Sequence, residues 1–468
     1  MSSFSTGLYG STISSTVGNV NNAFSGKTSG IDVSSIVGQL MQIERQPEAQ
    51  LQQQQSVITS KISALNSIGA QLTALYSSVN DLRDLQGAFS QKSTGSTDAA
   101  IVSASADTTA ASGTHSITVS QLATVSSSYS DYIPAGTSLA GAQITVKYGS
   151  DPDSPLKTEA INIPGTATTL QLAASAINNG SYGVTANVVS DSQGSRLVLI
   201  SKTSGANGNL TVSSPAADFI TASGVDAQLT VDGVPVDSST NVITGAIAGV
   251  TLSLGAADPN TPVMISVQPD TAGASQALQG FVSAYNAVIN AINGEYAIDP
   301  TTGTEGVLAG DSMLRTQQSN LLGMVSTAVK DVGQYVNLQS MGIEMQNDGT
   351  LEINSAKLSK AMSSNFADVQ KFFQSIAPAG WGQNAGMLLL KLTSPTLGPL
   401  AVDISGLNQT SRNLTDQINE LEVRMESVQR HLTAQYSALN TLLQQYPLQM
   451  QQIASQLANL PSSNSNKG

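Results

Sequence analysis

Few groups in this chain could carry chemistry. Only two histidines are present, His115 and His431, and there is no cysteine. His115 sits beside a Gly-Thr turn in an alternating stretch that directs it outward. His431 lies on a heptad-patterned helix, outside its apolar seam. Neither has a nucleophile or metal ligand at a spacing that would build a triad or a zinc site. Asp151 and Asp153, in Asp-Pro-Asp-Ser-Pro, could open a calcium loop, but the EF-hand spacing and its closing Glu are missing, so a polar turn fits better. Asp299 and Glu305 could pair as glycosidase carboxylates, yet the Thr/Gly-rich loop between them offers no ring to stack a sugar. No HExxH, GxSxG, Walker A or GxGxxG pattern occurs. The expectation is no catalytic residue, no metal and no cofactor: not an enzyme.

The elements that would position such groups say more. Near the C-terminus Leu407, Ser411, Leu414, Ile418, Leu421, Met425, Val428, Leu432, Gln435, Leu439, Leu442 and Tyr446 recur in alternating steps of four and three. Near the N-terminus Ile58, Lys61, Leu65, Ile68, Leu72, Leu75, Val79 and Leu82 do the same. Such a period marks helices that bury a seam against a partner. Each segment is the simplest partner for the other, which predicts an antiparallel coiled-coil hairpin packed through Leu65, Leu72, Leu75, Val79, Leu414, Leu421, Val428 and Leu432. Pro47 and Pro447 interrupt the two strands. If these prolines lie level, Leu65 falls near residue 429 and Leu82 near 412, and Leu65, Leu72, Leu421 and Val428 are buried together.

Ile31 to Gln46 reads as a short amphipathic helix, with Asp32 at its start and Ile36, Val37, Leu40 and Ile43 on one side. Apolar residues restart after Pro447 at Met450, Ile453, Leu457 and Leu460. Between Arg430 and Lys467 there is no Asp, Glu, Lys or Arg. An uncharged amphipathic helix suits packing inside an assembly better than a free surface. These eight apolar residues are therefore the candidates for assembly contacts. Residues 1–46 and 447–468 are expected to order only on assembly.

Between the helical ends the period changes to two. Strands are expected at Thr114–Ser120, Gln143–Tyr148, Glu159–Ile163, Val184–Val189, Arg196–Ser201, Leu210–Ser213, Gln228–Val231, Val250–Leu254 and Val263–Val267. Leu170–Asn178 reads as one helix among them. Helical pattern resumes at Gly273; Asp311 reads as an N-cap, Asp348-Gly349 as a turn, and Asn365 with Asp368 as a capping pair. The fold class is α+β and multidomain: a long antiparallel helical hairpin from both termini with two inserted β-rich domains. The division expected is terminal assembly segments at 1–46 and 447–468, a helical leg at 47–92 and 273–446, an inner β domain at 93–128 and 224–272, and an outer β domain at 129–223.

The net charge of −13 argues against nucleic acid and against an anionic membrane surface. Aromatics are 4% and charged residues 11%, a composition that looks extracellular. The N-terminus lacks the basic and apolar regions of a Sec-type signal, and no apolar run approaches a membrane span. Export by another route, unfolded and without disulfides, fits all of this.

Ile31–Met41 (IDVSSIVGQLM), followed by Glu44-Arg45-Gln46-Pro47, resembles the N-terminal signature of the bacterial flagellar filament cap proteins, the hook-associated protein 2 family. Similar segments follow in the family's order: Gly113–Ala123 (GTHSITVSQLA), Ile177-Asn178 with Gly183-Val184-Thr185-Ala186, Asp226–Gly233 (DAQLTVDG), Leu308–Asp311 and Asp348–Leu351. Gln445-Tyr446-Pro447-Leu448 departs from the family's usual last helix. The resemblance implies a cap at the filament tip, exported through the flagellar type III channel, that helps flagellin fold and insert and keeps it from leaking away. It implies a homo-oligomeric ring of roughly four to six subunits. The partners implied are flagellin, other hook-associated proteins and a cytoplasmic export chaperone, without nucleic acid or membrane insertion. The alternative is a surface adhesin that binds mucin or glycan through its β domains.

Overall fold

The computed structural model describes residues 32–134, 137–301, 303–330, 333–375 and 380–458. The chain enters through α1 (Val33–Glu44) and α2 (Gln46–Arg83). Asp32 caps α1, accepting the Ser35 N–H at 3.1 Å. Arg45 is the only residue between the two helices, and its backbone stays helical. Pro47 falls in the first turn of α2, where its missing N–H leaves no bond unmade. It opens a helix here and does not break one.

Three strands follow, β1 (Lys92–Ser96), β2 (Val102–Ala106) and β3 (Gly113–Gln121). The chain then leaves to build β4 (Val125–Ser130), β5 (Gln143–Tyr148), β6 (Lys157–Asn162), α3 (Leu170–Asn179), β7 (Val184–Asp191), β8 (Gly194–Ser204), β9 (Leu210–Ser213) and β10 (Phe219–Ala222). It returns through β11 (Ala227–Val231), β12 (Val234–Ser238), β13 (Val242–Ile247), β14 (Val250–Leu254) and β15 (Asp258–Pro269).

The strands on either side of the excursion form one antiparallel sheet in the order β1-β15-β3-β11-β12 and another in the order β13-β14-β2. They share one core, with Ile117, Val119, Leu229, Leu252, Val263 and Ile265 at its centre. Alternation in β3 and β11 directs these residues inward. The β11–β12 hairpin closes through Asp232 and Gly233, both at positive φ (50° and 84°), the two-residue turn whose twist suits paired strands.

The excursion has its own core. Sheets β10-β4-β8-β7 and β6-β5-β9 enclose Ile144, Val146, Ile161, Leu197 and Leu199, with Ala173 and Ile177 of α3. In β4 the buried face is serine: Ser126, Ser128 and Ser130 are fully inaccessible. Their hydroxyls are all bonded. Ser126 accepts from the Leu210 N–H at 3.1 Å, and Ser130 from the Leu197 N–H at 3.0 Å. β4 was not among the expected strands, because its buried face has no apolar alternation. It also straddles residue 128, where the inner and outer domains were expected to divide.

A half-buried carboxylate pins the second core. Glu159 accepts from the Tyr148 hydroxyl and from the Gly183 N–H at 2.9 Å, and pairs with Lys157 Nζ at 2.6 Å. Burial alone would push its carboxyl up; the bonds from Lys157, Tyr148 and Gly183 outweigh this and hold it below the usual carboxylate range. Its stabilisation is therefore complete above the unfolded-chain value and lost as pH falls through the depressed folded value. Glu159→Gln is expected to cost about 1–3 kcal/mol at neutral pH and to flatten the acid limb of the stability profile. Thermal unfolding in a descending pH series checks this, and an unchanged acid limb would contradict it.

The rest of the chain is the helical body: α4 (Thr271–Tyr296), α5 (Ser312–Ser326), β16 (Ile343–Met345), β17 (Leu351–Ile353), α6 (Ser355–Ser364), α7 (Phe366–Gln374), α8 (Trp381–Leu392) and α9 (Pro399–Ala458). Asp311 caps α5 through the Leu314 N–H at 3.0 Å. Asn365 does not cap α7 with its side chain, and Asp368 instead accepts from the Gln334 N–H at 3.2 Å. Leu65, Leu72, Leu75, Val79 and Leu82 of α2 share the core of this body with Leu278, Phe281 and Tyr285 of α4 and Leu389 of α8. Three asparagines complete strand pairing from outside it. Asn178, Asn241 and Asn286 each bond both the N–H and the C=O of one residue, respectively Ala186, Ala123 and Leu351.

Candidate functional site

The residues singled out for chemistry serve turns. His115 Nδ1 lies 2.8 Å from Asp232 Oδ2, and Asp232 Oδ1 accepts the Ser116 N–H at 2.8 Å. The His115 bond, then that of Ser116, holds Asp232 below the usual carboxylate range. The pair ties the β11–β12 turn to β3. Asp151 accepts the Asp153 N–H at 2.9 Å, and Asp299 accepts the Thr301 N–H at 2.7 Å; both are side chain-closed turns. His431 is exposed on α9. Among the described residues no three His, Asp or Glu side chains gather where a metal ion could sit.

The other candidates lie on the hairpin of α1 and α2 against α9. Gln55 Nε2 donates to Thr415 Oγ1 at 2.7 Å, and Gly69 lies against Leu400. The strands therefore run antiparallel, with Leu65 level with about residue 405. This corrects the register expected from the prolines, which placed Leu65 near 429. Pro47 is an N-terminal helix residue, and Pro447 lies inside α9, which continues to Ala458. Neither marks a shared height. Leu65 and Leu72 are consequently not buried with Leu421 and Val428. Their seam faces the helical body, while Leu414 and Ile418 are buried further along α9 and Leu421 is half-buried.

Val428 and Leu432 meet α1 instead. Val37, Met41 and Met425 form a small core, flanked by Val33, Val428, Leu432 and Tyr436. Ile36 and Val37 are buried, Leu40 is half-buried and Ile43 is exposed. The apolar side of α1 is thus already engaged in the single chain, contrary to the expectation that it orders only on assembly. Residues 1–31 and Leu460 lie outside the described residues.

Beyond Tyr436, α9 carries a different surface. Leu439, Leu442, Tyr446, Met450 and Ile453 step by three and four along one face and are 43–68% exposed. Leu443 and Leu448 flank them, also exposed. Leu457 continues the spacing within α9. At the hairpin's register Val33 is level with about Tyr436, so this stretch extends past the last described residue that faces α9. It amounts to about 33 Å of helix at ~1.5 Å per residue. Leu439, Leu442 and Tyr446 continue the heptad of the hairpin seam in sequence, yet they are uncovered. The absence of charge after Arg430 was the signal that set this end of the helix apart. No described helix is long and apolar enough to cross a membrane.

Comparison with known proteins agrees with this architecture. Residues 29–126 match the family profile described as Flagellar hook-associated protein 2 N-terminus, and residues 224–447 match its C-terminus counterpart. The chain is 29% identical to the A-type flagellar hook-associated protein 2 of Pseudomonas aeruginosa, over 93% of this chain and 97% of that protein. It is 27% identical to flagellar hook-associated protein 2 of Escherichia coli (strain K12), over 89% and 94%. It is similar to the crystal structure of the D1-D2-D3 domains of the flagellar cap protein FliD from Escherichia coli, at a TM-score of 0.59 and 26% identity, covering 74% of this chain and 99% of that one. With two profiles matched in order and relatives aligned over about nine-tenths of its length, the chain belongs to the flagellar hook-associated protein 2 family.

Proposed function

We propose that this protein is the cap at the distal tip of a bacterial flagellar filament, where copies of it form a ring that promotes flagellin folding and insertion and prevents flagellin leakage. The observation that carries the reading is the end of α9, an uncharged apolar stripe held out from a packed helical body. In this reading Met450 and Ile453, both exposed on that stripe, seat against flagellin or a neighbouring cap subunit. Val37, Met41 and Met425 brace the base of that helix. In this reading residues 47–92 and 273–446 form the leg and the two β domains the plate above it, and the pairing of β4 with β8 and β10 supports a division near 124 and 224.

The protein works by assembly and not by catalysis. Its place is outside the cell, at the filament tip, reached through the flagellar type III exporter with the aid of a cytoplasmic chaperone. A ring of about four to six copies would meet flagellin below and the other hook-associated proteins during construction. The relatives are named as hook-associated and cap proteins, which favours capping over adhesion through the β domains.

A strain lacking the protein is expected to shed unpolymerised flagellin into the medium and to stop swimming, with both restored by this chain supplied from a plasmid. Normal filaments in the deletion strain would overturn the reading.

A further inference from the structure

The inner and outer β domains have separate cores, and the chain passes between them twice, out at Thr124 and back at Gly224-Val225. The two crossings lie side by side. The Thr124 N–H donates to the Val225 carbonyl at 3.0 Å, and the Val225 N–H donates to Thr124 Oγ1 at 3.1 Å. Two paired crossings alone make a hinge, since domains joined by a narrow neck move relative to one another by default. Here a third contact stands beside the neck. The turn after β8 reaches the inner domain at two points. Ser204 Oγ donates to the Ser239 carbonyl at 2.6 Å, and Asp226 Oδ1 accepts the Ala206 N–H at 2.7 Å. Between them Gly205 is buried at a φ of 77°, and its own N–H donates to the Thr124 carbonyl at 2.9 Å. A Cβ there would overlap Asp226 Oδ1 and the backbone of Ser239, so only glycine allows the approach.

The inner side of the contact is itself tied down. Gln121 Nε2, on β3, donates to the Asp226 carbonyl at 2.9 Å. Asn241, two residues past Ser239, clamps Ala123 through both its N–H and its C=O, at 2.7 and 2.9 Å. We propose that residues 204–206 are a brace that holds the outer β domain at one fixed angle on the inner one, with Gly205 and Asp226 as its positioning residues. This gives a task to Asp226, which begins the DAQLTVDG segment yet stands just outside β11. The brace belongs to the single chain. Its use rests on the capping reading, because copies in a closed ring meet alike only when each presents its outer domain at the same angle.

The chain has no cysteine, so spin labels can be placed at will. Leu172 on α3 and Val234 on β12 are 49% and 61% exposed, one on each domain. Leu172→Cys with Val234→Cys, labelled in dilute full-length protein, is expected to give one narrow distance distribution by double electron–electron resonance. Adding Gly205→Ala, or Ser204→Ala with Asp226→Ala, is expected to broaden that distribution about twofold or more, while both β-domain transitions persist in calorimetry. The Ser204→Ala and Asp226→Ala pair removes two bonds and adds no bulk, so it decides the matter if the Gly205 variant does not fold. A distribution as narrow in that pair as in the parent, or one already broad in the parent, would overturn the proposal. Loss of a β-domain transition in the pair would overturn it too, since the contact would then hold the fold and not the angle. None of these outcomes touches capping, which flagellin leakage tests separately.

Discussion

Removal of residues 437–468 is expected to abolish capping while leaving the folded protein intact. The cut falls after Tyr436, the last residue of α9 packed near α1, and the described side chains beyond it that carry the stripe are exposed. The helical body and both β cores lose nothing. The unfolding midpoint should stay within about 2 °C of the full chain, a shift that corresponds to about 1 kcal/mol in a body of this length. The same truncation should leave cells without functional filaments and with flagellin monomer in the medium. Met450→Asp with Ile453→Asp in the full-length chain should reproduce the loss without shortening the helix, because a charge buried at an apolar contact is costly. Normal swimming by either variant would remove the stripe from the mechanism.

Trp381→Ala is expected to be the most damaging single substitution in the helical body. Trp381 is 2% exposed. Its ring stacks on Phe372 at 5.8 Å and meets Phe281 and Phe373 edge-on, each at 5.4 Å. Phe373 in turn stacks on Phe89 at 4.9 Å, which joins the segment after α2 to α7. The indole Nε1 donates to the Met324 carbonyl at 2.9 Å. Truncation removes the hub of five rings and leaves a cavity, a change that costs about 3–5 kcal/mol. Trp381→Phe keeps most of the packing but strands the Met324 carbonyl, for about 1–3 kcal/mol. Calorimetry should show the transition of the helical body shifted down while a β-domain transition stays in place. A loss below about 1 kcal/mol for the alanine variant would show that the cluster repacks.

Much of the architecture was legible in the sequence because the signals were periodic. The heptads announced α2 and α9, alternation announced β3 and β5, a short apolar run announced β8, and Asp32 and Asp311 marked helix starts that the structure uses. The failures have physical causes. A heptad states that a helix has a partner but not at what height, since every seven-residue slide restores the same seam. Only specific contacts such as Gln55–Thr415 fix the register, and such pairs leave no pattern. Prolines misled because Pro47 stands where a helix tolerates it and Pro447 is carried within one. β4 was invisible because buried serines mimic a polar loop. The asparagines that clamp Ala123, Ala186 and Leu351 could not be found either, as their partners lie up to 118 residues away. The candidate site was half legible. Lack of charge singled out the end of α9, whereas the engagement of Val37 and Met41 by Met425 required the three-dimensional register.

The tract from His431 to Asn466, without an acidic or basic side chain other than His431 itself, has a consequence for the surroundings in which a filament grows. Ion pairs at an exposed contact weaken as dissolved salt shortens the Debye length, from about 30 Å at 0.01 M to about 3 Å at 1 M. A contact made through leucine, methionine, isoleucine and glutamine offers that screening nothing to act on. Apolar burial is, if anything, strengthened by strongly hydrated salts. A cap held by the end of α9 therefore grips through a surface indifferent to the salinity of the medium, while the acidic remainder of the molecule stays free to respond to it.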